Sequence, residues 1–186
     1  MKINAQTSVY CILGKPVRHS LSPIMHNAAF AKTGINAIYV AFEPTSLKQA
    51  IDGIKALGIK GVSVTIPFKV DVLPLCDNVD PLALQIGSVN TLVNDNGIIK
   101  GYNTDGYGLL KSLETHTIDY RNKKILIIGN GGSARAIAYT LAKHDAQITI
   151  CGRNINNVLQ LANDLRTYFS QIDTMLLQQL TSDITK

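Results

Sequence analysis

Apolar and polar residues are arranged in short blocks whose period changes repeatedly along the first hundred residues. Residues 9–13 form a nearly continuous apolar run closed by Gly14-Lys15-Pro16, the pattern of a buried strand. Ser22-Pro23 then opens a helix, with Ser22 as the cap and Pro23 at the first helical position. This helix is expected to pass through His26, Ala29 and Phe30 and to stop at Gly34. Residues 37–42 predict a second strand. Thr45 or Ser46 caps a helix whose apolar residues Leu47, Ile51, Ile54 and Leu57 recur at three- and four-residue spacing, with Gly58 ending it. Residues 62–66 predict a third strand, halted at Pro67, where a further helix is expected to begin with Lys69 in its first turn. Residues 88–93 and 98–102 flank Asn94-Asp95-Asn96-Gly97, a hairpin signal that predicts antiparallel strands at an edge of the sheet. Such alternation of strand and helix predicts a mainly parallel α/β domain.

Asn103-Thr104-Asp105-Gly106 starts another helix, with Leu109, Leu110 and Leu113 on one side. At Lys124 the pattern changes character. Residues 125–128 are wholly apolar, Gly129-Asn130-Gly131-Gly132-Ser133-Ala134 follows at once, and an alanine-rich helix runs to about His144. Residues 148–151 predict the next strand, and Asn154 begins a helix through Leu159, Leu161 and Leu165. This βαβα pattern marks a second domain. The boundary falls within residues 103–122, and we divide the chain into residues 1–103 and 104–186.

Composition adds little to this picture but removes alternatives. The 186 residues are 46% apolar and 17% charged, as in ordinary globular proteins. The net charge of +5 suits an anionic ligand, but the basic residues are scattered and not interleaved with aromatics, so no nucleic-acid partner is expected. Cys11, Cys76 and Cys151 lie far apart, which argues against a disulfide framework and a zinc site. No apolar stretch has the length of a membrane span, and the first residues lack a secretory pattern, so a cytoplasmic protein without membrane attachment is expected.

Four places carry candidate chemistry. Gly129-x-Gly131-x-x-Ala134, set between an apolar strand and a helix, matches the dinucleotide fingerprint, in which backbone N–H groups approach a pyrophosphate. The second strand of that unit ends in Gly152-Arg153-Asn154, without the carboxylate that would bind an NAD ribose. Arg153 could instead hold a 2′-phosphate, which favours NADP; its bland reading is a solvated charge at a helix start. Near the N-terminus, Ser20 and Ser22 sit at a strand-to-helix turn where hydroxyls can hold a carboxylate, or where Ser22 can simply cap. Lys69, placed at a positive helix end, would have a lowered pKa and could carry a proton; the alternative is a surface lysine covering Phe68. Asp105 is either a helix-start carboxylate or a partner for Lys69.

Together these segments resemble the shikimate dehydrogenase family over almost the whole chain, from Gly14 to about Leu165. Gly14-Lys-Pro16-Val-Arg-His19-Ser20-Leu-Ser22-Pro23-Ile-Met-His26-Asn27 is similar to the opening segment of the family's substrate domain. Ser63-Val-Thr-Ile-Pro-Phe-Lys69, Val89-Asn90-Thr91 and Asn103-Thr-Asp105-Gly106 resemble three further family segments in the same order. The resemblance implies that Ser20 and Ser22 bind the shikimate carboxylate, that Thr65 and Asn90 bind substrate, and that Lys69 and Asp105 are a catalytic pair that also touches it. It further implies that Gly129, Asn130, Gly131, Gly132, Ser133, Ala134, Arg153 and Asn154 form an NADP site, with no metal. The implied activity is reversible NADPH-dependent reduction of 3-dehydroshikimate to shikimate in aromatic amino-acid biosynthesis. Quinate/shikimate dehydrogenase using NAD or NADP, or an inactive ligand-binding fragment, is the alternative, and a homodimer is the candidate assembly.

The chain departs from the family at Ser63, where Asn is usual, and at Gly152 and Asn154, where Asn and Thr are usual. Residues after 122 are expected to supply only the first βαβαβ half of a dinucleotide fold, an incomplete Rossmann domain. The family's late Tyr and Gln substrate contacts have no counterpart here by position, and neither Gln178 nor Gln179 takes that role from the sequence.

Overall fold

In the computed structural model, residues 3–184 are described, with side chains described as far as Leu180. The chain divides into two compact units, the division falling between Asn103 and Thr104.

The first unit is built on a six-stranded sheet. Strand β1 (Ser8–Leu13) pairs in parallel with β2 (Ala37–Phe42) on one side and β3 (Gly61–Val64) on the other. Helix α1 (Ser22–Thr33) joins β1 to β2, and α2 (Leu47–Leu57) joins β2 to β3. Beyond β3 come a 3-10 turn (Leu73–Leu75), strand β4 (Asn78–Val79), helix α3 (Pro81–Ile86), and strands β5 (Thr91–Asp95) and β6 (Ile98–Tyr102). The strand order is β2-β1-β3-β5-β6-β4, antiparallel only across β3-β5 and β5-β6.

Strand alternation sorts the core into two faces. Cys11, Leu13, Val62 and Val64 face one side with Ile51 and Ile54 of α2. Ile12, Val17 and Tyr39 face the other, with Phe30 of α1 packed against them. Burial pushes the Cys11 thiol up to about 12, so it behaves as a small apolar side chain.

Both glycine stops act as expected: Gly34 and Gly58 adopt positive φ of 72° and 65° at the ends of α1 and α2. Ser46, not Thr45, caps α2 through its side chain, which accepts from the Gln49 N–H at 3.4 Å. The predicted hairpin forms with Asn96 and Gly97 at φ 51° and 92°, as a two-residue turn with both residues at positive φ requires. Buried Asn94 braces it, accepting from the Gly97 N–H at 2.8 Å and donating to the Ile54 carbonyl at 3.0 Å.

The sheet differs from expectation at its edge and in strand bounds. The hairpin does not end the sheet, because the two-residue β4 pairs outside β6. A segment so short carries no periodicity to detect. The third strand ends at Val64 instead of residue 66, and the strand expected over 88–93 is shifted to Thr91–Asp95. At the opposite edge, the Asn27 side chain donates to the Tyr39 carbonyl (2.9 Å) and accepts from the Tyr39 N–H (2.8 Å) on β2.

The second unit begins with α4 (Asp105–Thr115) and continues as β7 (Lys124–Ile128), α5 (Gly132–Ala142), β8 (Gln147–Gly152), α6 (Ile155–Arg166), β9 (Ile172–Leu176) and α7 (Leu177–Ile184). Strands β7, β8 and β9 form a wholly parallel sheet in that order, one βαβαβ half of a doubly wound fold. Ile148, Ile150 and Cys151 of β8 are fully buried between its neighbours. Alanines 134, 136 and 138 let α5 come close to its surroundings, and α6 buries Val158, Leu161, Ala162 and Leu165 at helical spacing. Gln179 accepts from the Leu176 N–H at 2.8 Å, so its side chain serves the start of α7.

Candidate functional site

The strand order reverses at β1: β2 lies on one side of it and β3 on the other. The segment leaving β1 goes to the face covered by Phe30, while the segment leaving β3 sends Phe68 and Val72 to the face of Ile51 and Ile54. Chains that part in this way leave a crevice outside the carboxyl ends of the two strands, where open α/β sheets bind ligands.

Most of the candidate residues of the first unit line this switch point. The two loops touch: the Lys15 N–H donates to the Ile66 carbonyl and the Thr65 N–H to the Leu13 carbonyl, both at 2.9 Å. Gly14 is required there, since a Cβ would collide with the Thr65 methyl and lie 3.1 Å from the Ile66 carbonyl oxygen. Beyond Gly14 the loop is gripped by Glu43, which accepts from the Val17 N–H (2.7 Å) and the Arg18 N–H (3.2 Å).

Those backbone donors, chiefly Val17, and the Arg18 guanidinium hold the Glu43 carboxyl below its usual range. A depressed carboxylate stabilises the fold above its unfolded pKa, and the contribution is lost as pH falls through the folded value. Glu43→Gln should therefore melt below the wild type at neutral pH, and the two melting temperatures should converge in acid. A gap that stays constant from neutral to acidic pH would rule out a role for the charge.

Ser20 and Ser22 exchange the expected roles. Ser22 is the first residue of α1, not its cap, and the N-cap position is Leu21, which offers no side-chain hydrogen bond. The hydroxyl that reaches the helix start is that of Ser20, accepting from the Ser22 N–H at 3.2 Å. Ser20 can do so because its own N–H is turned back onto the Val17 carbonyl at 2.9 Å.

Lys69 is not in a helix. Residues 66–72 form a chain of turns after a cis Ile66-Pro67 bond. The Lys69 carbonyl, which a helix would have offered to residue 73, instead accepts from the Val89 N–H at 2.7 Å, and the Leu73 N–H turns to Val70. No helix begins at Pro67, so the positive helix end expected beside this lysine does not form in its segment. The same bond does something else: it ties the Lys69 backbone to the residue beside Asn90. The Asn90 carbonyl accepts from the Val64 N–H at 2.7 Å, and its N–H donates to the Tyr102 carbonyl at 3.0 Å. Thr65, Lys69 and Asn90 are thus held on one stitched backbone framework, each half-buried.

Two supports escaped sequence reasoning. Ser88 and Asn103 are buried polar residues joined by 2.9 Å bonds from the Asn103 amide to the Ser88 carbonyl and hydroxyl, fixing the link between α3 and β5 that carries Asn90. Their signal, isolated polar residues beside apolar strands, is common to many exposed positions. Ser63 accepts from the buried Tyr39 hydroxyl at 2.7 Å, and Tyr39 stacks on His26 at 4.3 Å. Burial raises the Tyr39 phenol further above its ordinary value.

In the second unit, Asp105 is the first residue of α4, and the Ser133 hydroxyl at the start of α5 approaches its carboxylate at 3.4 Å. Gly129 has φ of 129°, which favours glycine, and Gly131 is the N-cap of α5 without a side-chain hydrogen bond. The Asn154 side chain caps α6, accepting from Asn156 and Asn157 N–H groups at 3.0 and 3.4 Å. Arg153, exposed at the end of β8, makes no ion pair with any described carboxylate.

The chain matches two family models in sequence, "Shikimate dehydrogenase substrate binding domain" over residues 12–92 and "Shikimate / quinate 5-dehydrogenase" over residues 111–186. It is 54% identical over 157 residues to a shikimate dehydrogenase (NADP(+)) of Geobacillus sp. strain WCH70, a match covering 82% of this chain and 57% of that protein. The chain spans only about 60% of the length of such relatives. Among solved structures, the shikimate dehydrogenase of Aquifex aeolicus superposes with a TM-score of 0.87 at 42% identity, over 98% of this chain and 68% of that one. The Thermus thermophilus enzyme in complex with NADP(H) and shikimate superposes with a TM-score of 0.79 at 31% identity, over 91% and 63%. Likeness in both halves, in the same order and at these identities, places the chain in the shikimate dehydrogenase family.

Proposed function

We propose that the protein acts in the reversible NADPH-dependent reduction of 3-dehydroshikimate to shikimate. The observation that carries this reading is the backbone framework that holds Thr65, Lys69 and Asn90 together at the switch point of the first sheet. In this reading Ser20 and Ser22 hold the substrate carboxylate, and Thr65 and Asn90 hold its hydroxyls. Lys69 gives its proton to the ketone oxygen and steadies the negative charge that develops there. Asp105, in the second unit, is assigned as the partner of Lys69.

The residues of the glycine loop fit a dinucleotide: Gly129 has a conformation that favours glycine, and a Cβ on Gly131 would meet nothing within 4 Å, so the turn is open to a ligand. Gly129, Asn130, Gly131, Gly132, Ser133 and Ala134 would cradle the pyrophosphate, with Arg153 and Asn154 toward the adenosine end. When bound, NADPH supplies the hydride. Residues 1–103 form the substrate domain and 104–186 the cofactor domain. Among the described residues no helix is long and apolar enough to cross a membrane. We assign the protein to the cytoplasm, to a small-molecule substrate without a nucleic-acid partner, and to a homodimer.

The test is shikimate-dependent NADPH formation by the 186-residue chain, with quinate and NAD as alternative substrates. Turnover confined to quinate and NAD would replace this reading, and failure both to bind and to turn over shikimate would remove it. Arg153→Ala is expected to weaken NADP binding about tenfold or more, the worth of a charge-assisted contact, and to leave NAD binding nearly unchanged. Equal weakening of both would make Arg153 a residue of the loop's structure alone.

A further inference from the structure

The end of β8 is where a doubly wound fold addresses the adenosine ribose. A side chain on the last residue of a second strand normally does this, and position 152 cannot carry one. A Cβ on Gly152 would meet Val158 Cγ2 at 2.7 Å, so α6 packs directly against the strand end. Asn154 is engaged too, since its carboxamide oxygen caps α6 through two N–H groups.

Besides Arg153, an uncommitted polar group at this strand end comes from the glycine loop. The Asn130 carboxamide lies over Gly152, with Oδ1 at 3.5 Å and Cγ at 3.9 Å from the point a Cβ there would occupy. It makes no hydrogen bond to any described residue, and it is half-buried. The loop fixes its place, because the Gly129 N–H donates to the Cys151 carbonyl at 2.8 Å, binding the residue before Asn130 to the residue before Gly152.

We propose that Asn130 is a specificity-determining residue that reads the 2′ position of the adenosine ribose, in place of a side chain at residue 152. This rests on the reading of residues 129–134 as the dinucleotide loop. The amide nitrogen donates to a 2′-phosphate oxygen beside the Arg153 guanidinium, and Oδ1 accepts from a 2′-hydroxyl when the phosphate is absent. A carboxamide accepts either ribose, whereas a carboxylate in the same place repels the phosphate and still accepts from the hydroxyl.

The test uses Asn130→Ala and Asn130→Asp in the 186-residue chain, with NADP+ and NAD+ titrated calorimetrically. Asn130 is not among the residues at positive φ, so both substitutions suit its backbone, and melting temperatures close to wild type verify this. Asn130→Ala is expected to weaken NADP+ about tenfold and NAD+ less than about twofold. Asn130→Asp is expected to weaken NADP+ further and to leave NAD+ as tight or tighter, inverting the preference. Equal loss of both dinucleotides, or no loss of either, overturns the role of Asn130 while leaving the loop as the binding site. If the wild-type chain binds neither dinucleotide, the reading of the loop itself fails, and this inference fails with it.

Discussion

Replacing Lys69 with alanine is expected to lower kcat for shikimate oxidation by about 10²–10⁴-fold, the range for loss of a positioned acid–base group. Shikimate affinity should change little. Two features of the site set these expectations apart. The Lys69 carbonyl is held by the Val89 N–H, and the alanine variant keeps that backbone bond. The framework carrying Thr65 and Asn90 therefore survives the substitution, and with it the assigned grip on the substrate hydroxyls. What is lost is the amino group assigned to take the proton from the substrate hydroxyl in this direction and to return it to the ketone oxygen in the reverse one. Steady-state kinetics with a direct binding measurement separates the two: a rise confined to KM would reduce Lys69 to a binding residue.

The largest stability effect is expected at Gly106, one residue past Asp105. A Cβ at this position would collide with the Thr140 hydroxyl, lie 2.9 Å from Thr140 Cβ and sit 3.3 Å from the Ala136 carbonyl oxygen. Two of those three obstacles are backbone or the root of a side chain and cannot swing away. Gly106→Val should therefore cost about 3 kcal/mol or more and lower the melting temperature of the second unit by on the order of 10 °C. Adding Thr140→Ala should recover only part of the loss, because the Ala136 carbonyl and a Cβ at residue 140 remain. Full recovery would assign the clash to the hydroxyl alone. Wild-type melting in Gly106→Val would mean that α4 and α5 separate without cost.

Much of the architecture was legible because it is written in periodicity and punctuation. The helices stopped by Gly34 and Gly58, the Asn96-Gly97 turn and the apolar strand before Gly129 each combine a local preference with a matching tertiary role. The misreadings have a common cause, a hydrogen bond other than the expected one. Pro67 has the position of a helix start, but the Lys69 carbonyl goes to Val89, twenty residues on, and the helix does not form. Ser22 has the identity of a cap, but Ser20 arrives first, because Val17 turns it back. Strand β4 owes its existence to pairing with β6 and to nothing in its own two residues. The candidate residues could be named from their motifs, while their supports could not. Glu43, Tyr39, Ser88 and Asn103 act through partners distant in sequence, and no local pattern distinguishes them.

The clamp between Asn27 and β2 bears on how the protein behaves in a crowded solution. An edge strand recruits other chains by offering them a row of unsatisfied peptide groups. At Tyr39 both groups are already answered by a side-chain amide that has the same donor and acceptor as a peptide bond. The Ala37 N–H is likewise taken, by the Ile35 carbonyl at 2.9 Å. A foreign strand approaching β2 would have to displace a mimic of itself, one that belongs to the same molecule and never diffuses away. At Ala37 and Tyr39 the sheet is in this sense inoculated against its own kind.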